Sequence, residues 1–298
     1  MRVLVTGWAS FLHGEATAGD VASLQRVAAR LASDGIDHDI VLSPGFAPGA
    51  THFDDADPAD YTHVLFCCGP AHGWQLEELH RRYSRCTRIA VGVSVVDPRS
   101  RAATGFHRLL PRDGPGSHAS ADLATGFEHR QVPVVGVVLA PEQPEYGEHS
   151  RHDVVHATVR RWLAGLDAAR VPLDTRLADG EWHLCSTPEG FASLIARTDV
   201  VVTTRLHGLV LALTEGVPAL AADPISGGGK VTAQARAQGW PAVIGPDDLS
   251  EAELDRWWEW CRSDGGARRA AAIRGSAGTG SALLDALARE LHAAALDQ

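Results

Sequence analysis

The regular alternation of short apolar strands with amphipathic helices limits the fold of this chain more than any other feature of its sequence. Apolar runs rich in β-branched residues, such as 63–68 and 200–204, end in turn residues and are followed by a helical pattern. Over residues 19–33 the apolar positions recur at three- and four-residue steps, which is typical of a helix with one buried face. This alternation predicts an α/β fold of βαβ units, with parallel sheets covered by helices on both faces.

Two such series follow one another, and they predict two Rossmann-like lobes. We expect an N-terminal lobe over residues 1–128, a C-terminal lobe over 129–280, and a helix over 281–298 that packs across both lobes. Ligands of open α/β sheets bind at the carboxyl ends of the strands, so we expect a ligand cleft between the lobes. The Gly- and His-rich stretch 112–118 is expected to be a loop. The predicted strands are 3–7, 39–42, 63–68, 88–95, 134–139, 172–175, 200–204, 219–222 and 242–244, and the predicted helices are 19–33, 74–85, 154–166, 188–195, 209–215 and 232–238.

Charge and composition exclude several classes of protein. The formal net charge of -10 argues against broad nucleic-acid binding, which needs a basic surface. No apolar stretch reaches the roughly 18 residues that a membrane span requires, and the start of the chain lacks a signal-peptide pattern. The five cysteines are scattered without a C-x-x-C pair, which indicates a reducing compartment, so we expect a cytoplasmic protein. We expect the adjacent Cys67 and Cys68 to be small core residues.

The segment 199–213 carries the clearest chemical signal. A strongly apolar strand ends at Thr204-Arg205, and Leu206-His207-Gly208 opens an apolar helix. The start of a helix offers free amides and the positive end of the helix dipole, which together bind phosphate or carboxylate. Arg205 adds a planar cation for such an anion, and His207 can exchange a proton near neutral pH. The structural alternative is an arginine paired with an acidic neighbour and a histidine that caps the helix.

A second glycine-rich turn follows the next strand. Gly228 and Gly229 allow the backbone to approach a ligand closely, and Lys230 opens the next helix. The turn is not a Walker A loop, because Val231 stands where that motif has serine or threonine. The structural alternative is a flexible turn with a solvated lysine.

The turns of the first lobe carry weaker signals. Asp20 can cap the helix that it begins, or it can line the cleft together with Glu15 and bind or deprotonate hydroxyl groups. Neither this turn nor the turn around Gly69 contains G-x-G-x-x-G, which argues against a nicotinamide cofactor.

The fifteen histidines form no recognisable metal motif. There is no H-E-x-x-H, and we expect no metal ion. His149, His152 and His156 have helical spacing, but their polar surroundings predict a solvated helix start. The absence of a G-x-S-x-G motif argues against an α/β-hydrolase.

The sequence resembles the polysaccharide pyruvyl transferases. The resemblance rests on Asp199-Val200-Val201-Val202-Thr203-Thr204-Arg205-Leu206-His207-Gly208 and on Ala212-Leu213-Thr214-Glu215-Gly216-Val217-Pro218-Ala219. Gly19-Asp20, the turn with Gly69, Val91-Gly92-Val93-Ser94 and Arg112-Asp113 support it, and their order holds over most of the chain. The resemblance implies two Rossmann-like lobes in a GT-B-like arrangement. It also implies transfer of pyruvate from phosphoenolpyruvate to two hydroxyls of a sugar or glycan, with formation of a ketal and release of phosphate.

The resemblance assigns roles to individual residues. It implies that His207 is the general acid and that Arg205 offsets the charge of the departing phosphate, with Thr204, Leu206 and Gly208 in the same site. Further contacts to the anion are expected from Gly228, Gly229, Lys230, Arg112 and Arg176. The acceptor, which can be lipid-linked, is expected near Gly19, Asp20, Glu15 and Gly69. Phosphoenolpyruvate serves as a substrate, and no cofactor is implied.

Two alternatives remain at this stage. A transferase of the same architecture can use another donor, such as a sugar nucleotide, in which case an acidic residue near Glu215 would bind the ribose hydroxyls. Clustered arginines would favour phosphoenolpyruvate instead. The other alternative is a non-catalytic protein that binds ligands or partners with the same fold.

Overall fold

A computed structural model describes residues 1–139, 141, 143–276 and 282–296 of the chain. The chain forms two compact units, Met1–Arg130 and Gln131–Gln298. Their boundary falls two residues after the predicted end of the first lobe at residue 128. Within the described ranges, no helix is long and apolar enough to cross a membrane.

Unit 1 is built around a parallel sheet of five strands in the order β2-β1-β3-β4-β5. Its apolar core lies on both faces of the sheet, as the alternation of strands and helices predicts. Cys67 and Cys68 are 0% and 2% exposed, which confirms them as core residues. The strands are β1 Arg2–Gly7, β2 Asp37–Ile40, β3 His63–Cys67, β4 Thr87–Ser94 and β5 Arg108–Asp113, and the helices are α1 Ala18–Ser33, α2 Trp74–Arg82 and α3 Arg101–Thr104.

Unit 2 repeats this architecture with a parallel sheet in the order β10-β9-β8-β6-β7. Valines of β8 and leucines of α6 are fully buried in its core. The strands are β6 Val134–Val138, β7 Ala169–Pro172, β8 Val200–Thr203, β9 Ala219–Ala222 and β10 Val243–Ile244. The helices are α4 His152–Gly165, α5 Pro188–Ile195, α6 Leu206–Thr214, α7 Lys230–Ala237, α8 Glu251–Arg262, α9 Asp264–Ser276 and α10 Ala282–Leu296.

The two sheets have the same connectivity. In each unit the second strand lies outside the first, and the third, fourth and fifth follow on the other side. The direction of winding therefore reverses between β1 and β3 in unit 1 and between β6 and β8 in unit 2. In open α/β sheets the carboxyl ends at such a switch point form the ligand-binding crevice. The prediction of two Rossmann-like α/β lobes is confirmed, whereas the cleft between them and their GT-B-like arrangement stay predictions.

Several predicted elements need correction. Residues 112 and 113 belong to β5 instead of a loop. Strand β7 ends at Pro172, the residue at which the sequence predicts this strand to begin. Helices α8 and α9 were not predicted. The leucines of α10 at positions 283, 284, 287 and 291 are exposed, and the packing of this helix across both lobes stays a prediction.

Candidate functional site at the switch point of unit 2

The loop between β8 and α6 is fixed by a buried threonine. The Thr203 hydroxyl donates a hydrogen bond to the carbonyl of Val138 at 3.0 Å and accepts one from the amide of Arg205 at 2.9 Å. It thus ties the ends of β6 and β8 together at the switch point and turns the chain into α6. Because α6 begins at Leu206, Arg205 is its N-cap residue, and Leu206 and His207 lie in its first turn.

Gly208 brings this helix close to the sheet. A Cβ at this position would lie 2.3 Å from Thr203 Oγ1 and 3.2 Å from Val138 Cβ. Only a residue without a side chain allows this approach. Gly208 therefore sets the position of the α6 N-terminus, and its contact with substrate stays a prediction.

Arg205 is held by a carboxylate that the sequence analysis did not identify. Its Nη1 lies 3.4 Å from Oδ1 of Asp174, a residue just after β7, and Arg176 Nη2 lies 2.6 Å from the other oxygen. Two arginines thus share one aspartate and leave a net positive charge beside the helix N-terminus. Burial acts to raise the pKa of Asp174, but hydrogen bonds from Arg176 and the charges of Arg176 and Arg205 hold it below its usual range. The structure therefore brings two of the predicted anion contacts together.

The N-terminus of α6 is open. Arg205 contributes no side-chain cap, and among the described residues no side chain accepts a hydrogen bond from the amides of Leu206 or His207. The imidazole of His207 is exposed in the first turn. The site therefore combines free amides, a helix dipole, a half-buried guanidinium and an accessible imidazole, and this combination suits an anion that receives a proton.

The histidines of α4 require a correction. His152 is 2% exposed, and His156 places Nε2 3.1 Å from Oγ1 of Thr204, so the predicted solvated helix start is wrong for both. Their rings meet edge to face with centroids 5.7 Å apart. Burial, together with the charges of His152 and Arg160, lowers the pKa of His156 to about 4, which leaves its ring neutral near pH 7. A neutral imidazole thus supports Thr204, one residue before the N-cap arginine.

The glycine-rich turn after β9 is occupied by the chain itself. Asp223 is fully buried, and its carboxylate accepts hydrogen bonds from the amides of Ile225 at 3.1 Å, Gly229 at 2.7 Å and Thr232 at 2.8 Å. The amide of Gly228 donates to the carbonyl of Ile225 at 3.0 Å. Gly228 and Gly229 therefore offer no free amide to a ligand, and the prediction that they cradle an anion is corrected.

Lys230 lies at the start of α7, with its ammonium 5.8 Å from the ring centroid of Tyr146. A backbone hydrogen bond joins the chain just before Lys230 to the chain just after Tyr146: the amide of Ser226 donates to the carbonyl of His149 at 2.9 Å. Lys230 thus lies on the carboxyl side of the unit 2 sheet, and its role as an anion contact stays a prediction.

Arg112 belongs to a separate cluster in unit 1. Its guanidinium donates to Asp113 at 2.7 Å, to Ser94 Oγ at 2.7 Å and to Asp122. These bonds and charges raise the pKa of Arg112, although burial opposes the shift. Two carboxylates around one arginine leave this cluster net negative, which weakens the case for Arg112 as an anion contact.

Two of the predicted acceptor residues, Asp20 and Gly69, have structural roles in unit 1. Thr17 is the N-cap residue of α1: its Oγ1 accepts a hydrogen bond from the amide of Asp20 at 3.2 Å, and its hydroxyl donates one to the carboxylate of Asp20 at 2.7 Å. Glu15 and Gly19 are exposed near this helix start. Gly69 has φ +67°, and a Cβ there would lie 2.1 Å from the indole of Trp8, so packing requires a glycine at this position.

Glu215 lies at the far end of α6 from Arg205. It is the C-cap residue of this helix, and its carbonyl accepts a hydrogen bond from Arg274. Nine helical residues separate the two positions by roughly 14 Å. A sugar nucleotide would need an acidic residue near Glu215 to bind its ribose hydroxyls. This end of α6 is therefore remote from the open helix N-terminus.

The fold and the local geometry together define a two-unit α/β protein with an open helix N-terminus and two arginines at a topological switch point. The sequence model of the polysaccharide pyruvyl transferase family matches residues 148–224. This segment runs from just before α4 through β9 and the following turn, and it includes Asp174, Arg205 and His207. The resemblance is confirmed for this segment, and the match supports a transferase that modifies glycans.

Comparison with solved structures gives distant likenesses. A spinosyn forosaminyltransferase is 13% identical, with 99% of each chain covered and a TM-score of 0.37. The glycosyltransferase SsfS6 of Streptomyces sp. SF2575, complexed with thymidine diphosphate, is 15% identical, with 94% of this chain and 96% of that chain covered and a TM-score of 0.33. A UDP-GlcNAc 2-epimerase from Methanocaldococcus jannaschii is 9% identical, with 89% and 93% covered and a TM-score of 0.32. These likenesses support no conclusion about substrate. Comparison with curated proteins gives no match.

Proposed function

We propose that this protein transfers pyruvate from phosphoenolpyruvate to two hydroxyls of a sugar or glycan and forms a ketal. The observation that carries the proposal is the pair Arg205 and Arg176 on one aspartate, beside the uncapped N-terminus of α6. Phosphoenolpyruvate has a phosphate and a carboxylate, so its site needs two fixed positive features. The guanidinium of Arg205 and the free amides of the helix are of that kind.

The reaction needs a proton donor at the edge of this anion site. His207 donates a proton to the methylene carbon of phosphoenolpyruvate, which becomes a methyl group and leaves C2 electrophilic. One sugar hydroxyl attacks C2, phosphate leaves with its bonding electron pair, and a second hydroxyl closes the ketal. One hydroxyl proton restores the acid form of His207, and the other leaves with phosphate. Arg205 offsets the charge that develops on the leaving group.

The positions of the acidic residues favour phosphoenolpyruvate over a sugar-nucleotide donor. Ribose hydroxyls are commonly bound by a carboxylate. Glu215 is at the opposite end of α6, and Asp174 is already bound by Arg176 and Arg205. The open site is therefore cationic, which suits the phosphate and the carboxylate of phosphoenolpyruvate.

Phosphate release from phosphoenolpyruvate in the presence of simple glycosides tests the proposal. We expect His207→Ala to slow release by about 10²- to 10⁴-fold and Arg205→Ala by about 10²- to 10³-fold, because each removes a group that acts in the transition state. Arg268→Ala and His292→Ala are matched controls at exposed positions and should leave the rate unchanged.

Thermal denaturation separates donor binding from chemistry. Phosphoenolpyruvate should raise the melting temperature of the wild type and of His207→Ala, whereas Arg205→Ala should lose this stabilisation. Equal rates of release in the wild type and both site variants would refute the mechanism. Stabilisation by thymidine diphosphate sugars but not by phosphoenolpyruvate would favour the other donor class.

A further inference from the structure

Unit 1 contains a cavity of about 440 Å³ at the carboxyl end of its sheet. Its walls come from the loop after β1, the loop after β2 and the start of α2, which follows β3. This places it beside the switch point of unit 1, where ligands of open α/β sheets bind. Its volume lies within the range of roughly 300–1,000 Å³ that is typical of small-molecule sites. None of the candidate residues described above lines it.

Aromatic rings form the apolar part of this cavity. Phe11 and Phe53 are 7% and 8% exposed, and their rings meet edge to face with centroids 5.5 Å apart. Trp74, the first residue of α2, is 63% exposed at the rim. The packed rings of Phe11 and Phe53 and the exposed indole of Trp74 provide apolar surfaces, against which the C–H face of a ligand ring can lie. The large exposed area of Trp74 has no evident role in the packing of unit 1.

Oxygen acceptors form the polar part. Asp54, Asp55 and Glu78 line the cavity, and so do His13 and His52, whereas neither lysine nor arginine does. Glu78 accepts a hydrogen bond from Arg81, and Asp55 lies 3.5 Å from His52. Arg82 lies 3.7 Å from Asp54 and places its guanidinium 5.3 Å from the ring centroid of Phe53, but it does not line the cavity. Three carboxylates and the two arginines paired with them leave hydrogen-bond acceptors and one net negative charge when the histidines are neutral. Hydroxyl donors suit these acceptors better than phosphates or carboxylates do.

We propose that this cavity binds a pyranose ring that carries no acidic group. The aromatic surfaces contact its C–H face, and the carboxylates accept hydrogen bonds from its hydroxyls. As an acceptor subsite, the cavity would select neutral or amino sugars over uronic acids; this assignment rests on the proposed function. Sugar binding itself does not depend on it.

Saturation-transfer NMR on the full chain tests the site without phosphoenolpyruvate. The probes are the methyl β-glycosides of glucose, galactose and glucosamine, with methyl β-glucuronide as the acidic counterpart. We expect at least one of the three non-acidic glycosides to bind at least tenfold more tightly than the glucuronide. Trp74→Ala should weaken this binding by about two- to tenfold, the equivalent of about 0.5–1.5 kcal/mol for one aromatic contact.

Two controls make the test specific. Trp182→Ala removes an indole that is 94% exposed in unit 2 and should leave the binding unchanged. Asp55→Asn removes one negative charge at an exposed position. It should therefore reduce the difference in affinity between the non-acidic glycosides and the glucuronide. Circular dichroism melts should show that Trp74→Ala and Asp55→Asn keep the wild-type fold.

The possible results separate the two proposals. Glycoside binding that Trp74→Ala weakens supports the cavity even if phosphoenolpyruvate yields no phosphate, in which case only the proposed reaction fails. Equal affinity of the wild type and Trp74→Ala overturns the cavity site. So does failure of all three non-acidic glycosides to bind, or glucuronide that binds as tightly as they do.

Discussion

Replacing Asp223 by alanine would remove a fully buried carboxylate that three backbone amides share. One of these amides belongs to Thr232 in the first turn of α7, one to Gly229, the N-cap residue of α7, and the third to Ile225. In the alanine variant the start of the helix loses its cap, and the turn that joins β9 to α7 loses the group that closes it. We expect this single change to destabilise unit 2 strongly.

The magnitude follows from the hydrogen bonds. A bond to a charged group contributes about 1.5–3 kcal/mol net, and an unsatisfied buried donor costs about 1–3 kcal/mol. The three contributions do not add fully, because the amides of Gly229 and Thr232 are half-buried and water can replace part of the loss. We therefore expect Asp223→Ala to lower the free energy of unfolding by about 3–5 kcal/mol. Asp223→Asn keeps the shape of the side chain but turns one acceptor into a donor, and it should cost about 2 kcal/mol.

Urea denaturation followed by tryptophan fluorescence measures this loss where it arises. Six of the eight tryptophans lie in unit 2, so the signal reports mainly on that unit. Asp247→Ala removes an exposed aspartate from the same unit and should change stability by less than about 0.5 kcal/mol.

Sulfate provides an independent check. The alanine variant exposes a helix N-terminus with free amides, which is a favourable place for an anion. Added sulfate should restore more stability to Asp223→Ala than to Asp247→Ala. If Asp223→Ala loses less than about 1 kcal/mol, or if sulfate stabilises both variants equally, the carboxylate does not hold the turn as we infer.

Two further predictions concern the site in unit 2. Gly208→Ala should destabilise the protein by about 2 kcal/mol, because the new Cβ forces α6 away from the sheet. In thermal denaturation, this variant should also lose its stabilisation by phosphoenolpyruvate. The control Gly165→Ala, at a position with open space around it, should be neutral or slightly stabilising. Burial lowers the pKa of His156 from the ordinary 6.5 to about 4 in the folded protein. As the pH falls, this histidine is therefore protonated in the unfolded chain before it is protonated in the folded protein. For a fully buried ring, this difference in pKa would lower the free energy of unfolding by about 3 kcal/mol at low pH, and the partial exposure of His156 reduces the effect to about 1–2 kcal/mol. Wild-type stability should therefore fall more steeply than that of His156→Gln between pH 6.5 and about 4, and parallel urea midpoints over that range would contradict this.

The central strands were predictable because they are buried on both faces and read as continuous apolar runs. The sequence predicts 200–204 and 219–222, and the structure has β8 and β9 at almost the same residues. The edge strand β5 was missed because Pro111 and the charged pair after it interrupt the pattern. An edge strand tolerates proline, since one side of it has no partner strand to receive the missing amide bond.

The sequence does contain a pattern that indicates helix α8, although this helix was not predicted. Ser250 accepts a hydrogen bond from the amide of Glu253 at 3.2 Å, which is the start pattern of a capped helix. Leu254, Trp258 and Cys261 follow at four- and three-residue steps and are all buried. The same argument applies to α4, where the buried stripe includes His152. A histidine in a buried stripe is a better candidate for a structural role than for a solvated one.

The main error in the predicted site concerned two helix starts that look alike in sequence. Both follow an apolar strand and contain glycine, and both were expected to bind an anion. At α7 the strand is followed by Asp223, whose carboxylate fills the N-terminus; at α6 it is followed by Thr204 and Arg205, which leave the N-terminus open and add a positive charge. An acidic residue just after the strand thus marks a helix start that the chain caps itself. This difference is visible in the sequence, and it favours the α6 start over the α7 start for the proposed anion site.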